Sequence, residues 1–213
     1  MNLILLLLIG IIVFISYKGF TDYRFSNRYE FNIGRIRSGE QIRIFTSGFL
    51  HSDWGHLFFN MFTLYMFGDI VINYFGSYLF LIIYMVSLLS GSLLVMVYHK
   101  NDLGYTAKGA SGAVTGILYA AILLNPEMNL YLFLIPIPIS AYVFGIGYLL
   151  YSIYGMKAQN DNIGHEAHFG GAIGGLLSTV LIEPTILITS FKMIILLIIP
   201  ILILFFLTKM EKL

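Results

Sequence analysis

Two polar side chains of complementary chemistry stand in a chain that is otherwise mostly apolar. Ser111 lies in Gly109-Ala110-Ser111-Gly112, and His168 in His165-Glu166-Ala167-His168-Phe169-Gly170-Gly171; each opens a hydrophobic stretch. A hydroxyl becomes a nucleophile when a base takes its proton, and a neutral imidazole is the usual base. Each residue alone has a blander reading. A serine at a helix start is usually a cap, and a histidine in a span can simply hydrogen-bond a neighbouring helix. Their surroundings favour the chemical reading. Gly109 and Gly112 flank Ser111, and Gly112 with Gly116 forms a small-residue face for close helix packing in lipid. His168, Gly171 and Gly175 fall on one helical face, which would carry the imidazole toward Ser111. Ionisable groups inside a span are functional candidates by default. His56 and Asn60, at i and i+4, offer polar groups on one face; they are either ordinary polar packing or donors for an oxyanion.

Metal chemistry finds less support. His165-Glu166-Ala167-His168 has its histidines at i and i+3, whereas the zinc-protease pattern His-Glu-x-x-His places them at i and i+4. No metal and no cofactor is expected. The paired glycines Gly170-Gly171 and Gly174-Gly175 read as packing.

These residues need elements to hold them. The chain has 213 residues, 58% hydrophobic and 11% charged, with mean hydropathy +0.85, which places it in a membrane. A net charge of +1 offers no basic face for nucleic acid, so no nucleic-acid partner is expected. The absence of cysteine removes thiol nucleophiles and disulfides. Seven spans are expected: Leu3–Tyr17, Gly55–Phe75, Tyr78–Tyr98, Ser111–Leu124, Leu130–Tyr154, Ala167–Ile182 and Ile186–Thr208. The first lacks a basic n-region and a cleavage site and reads as a retained span. All should be helices, since helices satisfy their own backbone in lipid. The fold class is thus an all-α polytopic membrane protein, one domain over 1–213, lying in the bilayer. The long first loop, Lys18–Trp54, is expected to form short helices at the interface.

Depth follows from length. Ser111–Leu124 covers roughly 21 Å at 1.5 Å per residue, against a hydrocarbon layer about 30 Å thick. With Asn125-Pro126-Glu127 at the far surface, Ser111 sits on the order of 9 Å below the near one. His168, counted back from Glu183-Pro184, starts about as deep. Residues 100–110 must then dip into the membrane as irregular backbone, which is tolerated where it lines a water-filled cavity. Ser111 and His168 are expected at the floor of that cavity.

The motifs together resemble those of the rhomboid intramembrane serine proteases. They stand as Arg43-Ile44-Phe45-Thr46-Ser47, Phe49-Leu50-His51-Ser52-Asp53-Trp54-Gly55-His56-Leu57-Phe58-Phe59-Asn60-Met61, Gly109-Ala110-Ser111-Gly112 and Ala167-His168-Phe169-Gly170-Gly171. The resemblance runs from about Gly39 to Leu181. It implies a Ser111–His168 dyad, an oxyanion hole from His56, Asn60 and the Ser111 N–H, and a six-helix core over 1–184. A further helix over 186–208 would be additional. It also implies a movable cap around Gly155–Gly164, and transmembrane proteins as substrates, cut within or beside their spans. Four departures stand out. Ile42 precedes Arg43 where the family often has Trp. Thr115 stands four residues after Ser111, where an aromatic usually packs on the imidazole. Ile72 occupies a position that is commonly Glu. The seventh span lies outside the minimal core. Two rivals remain: a small polytopic transporter, and a non-catalytic rhomboid-like protein that binds client helices. A cell-membrane location, plasma or inner, is expected. Orientation is drawn two ways, because eleven of the twelve basic residues fall on the face bearing the site. The positive-inside rule turns that face to the cytoplasm, whereas the resemblance turns it outward.

Overall fold

The computed structural model describes residues 2–131, 138–158 and 163–209. Among these the architecture is all-α, with two short antiparallel ladders and no closed sheet. Helix α1 (Leu3–Thr21) is N-capped by Asn2, whose side chain accepts from Ile4 N–H. It runs four residues beyond the expected span end at Tyr17, because Lys18 to Thr21 continue without a breaker.

The first loop forms the expected short helices: α2 (Tyr23–Tyr29), α3 (Ile33–Arg37) and α4 (Arg43–Thr46), followed by a 3-10 turn at Ser47–Phe49. Asp22 and Asn32 cap α2 and α3. Arg43 is the staple of this loop. It is 1% exposed, yet its guanidinium reaches Glu40 Oε2 at 2.6 Å and the carbonyls of Asn27 and Glu30 at 2.8 Å. Its hydrogen bond holds the Glu40 carboxyl below the usual range. These bonds through Nε and Nη1 offset the cost of burying the charge, while Nη2 has no hydrogen-bond partner among the described residues.

Helix α5 (Trp54–Tyr98) is N-capped by Asp53 and merges the expected second and third spans. It breaks at Gly76, whose φ of 80° and ψ of 167° suit only glycine. Straight, its 45 residues would stretch about 68 Å. Both ends, through Asn60 and His99, instead line one cavity, so the chain doubles back at Gly76. Residues 100–110 are irregular apart from β2 (Thr106–Ala107), which pairs with β1 (Phe31–Asn32).

Helix α6 (Ser111–Leu124) has the expected bounds and is buried along almost its whole length. The fifth span is corrected. Leu130 and Tyr131 belong to strand β3 (Asn129–Tyr131), paired with β4 (Pro138–Ser140), and α7 starts only at Ala141 and ends at Ala158. Pro138 has no N–H to give a helix interior, so the helix begins beyond it. The middle of the expected span, 132–137, lies outside the described residues. Helix α8 (His165–Ile182) opens two residues earlier than expected. The seventh span is divided into α9 (Ile186–Thr189) and α10 (Phe191–Lys209). The break falls at Ser190, whose hydroxyl donates to Leu123 O at the foot of α6.

Helices α6 and α8 meet through backbone rather than side chains. A Cβ built on Gly171 would land on Gly112 O, and one on Gly175 on Gly116 O. On its other side α8 presses against the second half of α5: a Cβ on Gly170 would come 2.7 Å from Ser90 O. Small residues permit this approach, and in lipid such packing drives association.

Candidate active site

Ser111 is the first residue of α6, and no side chain caps that helix. The first helical bond is Val114 N–H to Ala110 O. The N–H groups of Ser111, Gly112 and Ala113 therefore have no acceptor in their own helix and stand at the positive end of its dipole. His168 sits in the first turn of α8 and is 9% exposed. Both line a cavity of about 1600 Å³, together with His56 and Asn60. Their chain neighbours touch: a Cβ on Gly112 would lie 3.0 Å from Ala167 O. The glycines at 112, 171 and 175 thus bring the serine and histidine helices together.

Gly109 has φ +153°, and its N–H bonds Ser47 O at 3.1 Å. A Cβ there would lie 2.9 Å from His56 Nε2 and 3.6 Å from Ser111 Oγ. A point within reach of both the hydroxyl and a ring nitrogen is thus kept open by the missing side chain. Asn60 Nδ2 donates to His56 O at 3.0 Å, and Asn60 is 7% exposed.

Three contributions escaped the sequence reading. The phenol of Tyr148, on α7, lies 2.8 Å from His168 Nδ1, with the rings stacked at 5.8 Å between centroids and 20° between planes. The buried Glu166 carboxylate faces His99 Nε2 at 3.4 Å, and His99 stacks on Tyr105 at 3.7 Å. This ties the end of α5 to the first turn of α8. Finally, His51 receives Ala110 N–H on Nε2 at 3.4 Å and faces Ser16 Oγ through Nδ1 at 2.8 Å. The hydroxyl in turn donates to Phe49 O. His51 stood in the quoted motif without a role. Tyr148 is one tyrosine among several on its span, and nothing in their spacing distinguished it. His165 packs beside Gly155, edge-on to Tyr151 at 5.1 Å. Among the described residues no group of three or more His, Asp or Glu could hold a metal.

His51 lies between the 3-10 turn and α5, outside the spans. Burial, reinforced by the nearby His56, lowers its imidazole to about 3. A histidine in the unfolded chain takes up its proton near 6.5. Between these values the unfolded state binds the extra proton, so stability falls as pH drops from about 6.5 toward 3. The loss should approach about 1.4 kcal/mol per pH unit. Thermal melts of the solubilised protein should shift downward from pH 7 to pH 5, and His51→Asn should flatten that slope. Parallel slopes would show that His51 is not the titrating group.

The family model of the Rhomboid domain matches residues 38–185. The chain is 32% identical over 176 residues to RHOMBOID-like protein 12, mitochondrial, of Arabidopsis thaliana, covering 75% of this chain and 52% of that protein. It is 31% identical over 140 residues to Rhomboid protein 1, mitochondrial, of Saccharomyces cerevisiae, covering 64% and 40%. It is 34% identical over 143 residues to Rhomboid protease GluP of Bacillus subtilis, covering 67% and 26%. The chain thus spans about half the length of the plant relative and less of the other two. The match over most of its length makes this chain a member of the rhomboid family. It is an integral membrane protein of a family that includes intramembrane proteases. Two of these relatives are named as mitochondrial, so the expected cell-membrane location gains no support.

Proposed function

We propose that the chain is an intramembrane serine endopeptidase, acting as one membrane domain on the transmembrane segments of other proteins. The observation that carries this reading is the convergence of Ser111, His168, His56 and Asn60 on one cavity, at the close approach of α6 and α8. Ser111 Oγ attacks the scissile carbonyl while His168 takes its proton. The tetrahedral oxyanion is received by the Ser111 N–H, His56 and Asn60. His168 returns the proton to the leaving amine, and water from the cavity then releases the acyl-enzyme.

The cap expected at Gly155–Gly164 falls partly on described residues. Residues 155–158 end α7, and 159–162 lie outside the described residues. A non-catalytic client-binding role would not call for a space kept open by Gly109 between the Ser111 hydroxyl and the His56 ring.

A fluorophosphonate probe tests the reading. It should label the full-length protein, with the adduct mapping to Ser111, and labelling should persist in excess chelator. Chelator-sensitive labelling, or an adduct elsewhere, would overturn the reading. Asn60 gives a second test. Losing one oxyanion donor costs about 100- to 1000-fold in turnover. Asn60→Ala should therefore slow cleavage of a model transmembrane substrate with little change in KM. Weakened binding at unchanged kcat would remove the assigned role.

A further inference from the structure

A base must present one ring nitrogen to the nucleophile and hold the other in place. At His168 the held nitrogen is Nδ1, 2.8 Å from the Tyr148 phenol, whose ring lies nearly parallel to the imidazole. Thr115 lines the same cavity as Tyr148 and His168. Thr115 is one helical turn beyond Ser111 on α6. Tyr148 itself belongs to α7, a separate element.

The proton positions follow from the chemistry. If Nε2 is to accept the Ser111 proton, the ring proton must stand on Nδ1, and the phenol must accept it. That arrangement selects the tautomer a base requires. Simple packing would explain the stacked rings. It would not explain why the phenol oxygen meets Nδ1 at hydrogen-bond distance.

We infer that Tyr148 is the positioning residue of the Ser111–His168 pair, holding the imidazole's tautomer and plane from α7. This rests on the serine-protease reading above. It makes the competence of the site depend on the seating of α7, a helix that carries neither member of the pair.

The test uses full-length protein in lipid vesicles, with fluorophosphonate labelling rates and substrate cleavage read in parallel. Tyr148→Phe keeps the stacked ring and removes the hydrogen bond. A neutral hydrogen bond of about 1.4 kcal/mol corresponds to tenfold. Labelling rate and kcat should both fall about tenfold, with KM unchanged. Tyr148→Ala removes ring and bond and should fall about 100-fold. Adding Thr115→Tyr to Tyr148→Ala places a phenol on α6 instead and should restore part of the rate. Should Tyr148→Ala melt early, Tyr148→Phe alone decides. Wild-type labelling and kcat in Tyr148→Phe would overturn the inference, as would a raised KM at unchanged kcat. Both outcomes differ from failure of the underlying reading, in which Ser111→Ala would still be labelled.

Discussion

Ser111→Ala is expected to abolish cleavage of a model transmembrane substrate while the protein stays folded, and His168→Ala to do the same. The two groups act as a unit, so either loss should cost about 10⁴-fold or more in turnover, and the double variant little beyond that. The hydroxyl opens a helix that no side chain caps, so its removal takes away no helix cap. His165→Ala separates this reading from a general need for histidine. His165 packs against Gly155 and Tyr151, and its ring centroid is 6.2 Å from that of His168. Its loss should leave most of the turnover. Cleavage in Ser111→Ala at the wild-type rate would end the serine-protease reading. A lost rate in His165→Ala with a retained one in His168→Ala would reassign the base.

Gly171→Ala should also slow turnover, for a different reason. The added methyl would occupy the position of Gly112 O, the carbonyl next to Ser111. Backbone on both sides cannot rotate away, so α6 and α8 must separate. Overpacking of this kind costs about 1–3 kcal/mol. A misplacement of about 1 Å near reacting groups can cost about 100-fold in rate. Activity should thus fall much further than melting temperature. Gly147→Ala is the control, because nothing lies within 4 Å of a Cβ there. Equal losses in the two variants would show that the effect is not helix separation. Unchanged activity in Gly171→Ala would remove the close approach from the account.

The legible parts of the molecule were those written in spacing. Helix α6 keeps the bounds read from Ser111 and Asn125, and the glycine pairs at 112, 116, 171 and 175 meet as their periodicity implied. Tyr148 was not legible, because its contact with His168 depends on how α7 rotates against two other helices, and a tyrosine-rich span carries no mark of that angle. The fifth span was misplaced because apolar residues continue through Pro138, and hydropathy does not register a missing N–H. The Ser190 break was hidden likewise, since Ser190 ends one helix by reaching the foot of another.

The glycine that breaks α5 sets a mechanical tolerance on the site. From Gly76 to Asn60 runs an arm of sixteen residues, about 24 Å long. At that radius a 5° error in the angle at Gly76 sweeps the Asn60 amide through about 2 Å, whereas a working site is held to about 0.5 Å. The correction is applied at the far end of the lever. Asn2 N–H bonds Asp69 Oδ1 at 3.3 Å, and Asn2 Oδ1 takes the Ser77 hydroxyl at 3.2 Å, beside the pivot itself. The aim of a group near one membrane surface is thus trimmed near the other, by a residue that never meets a substrate.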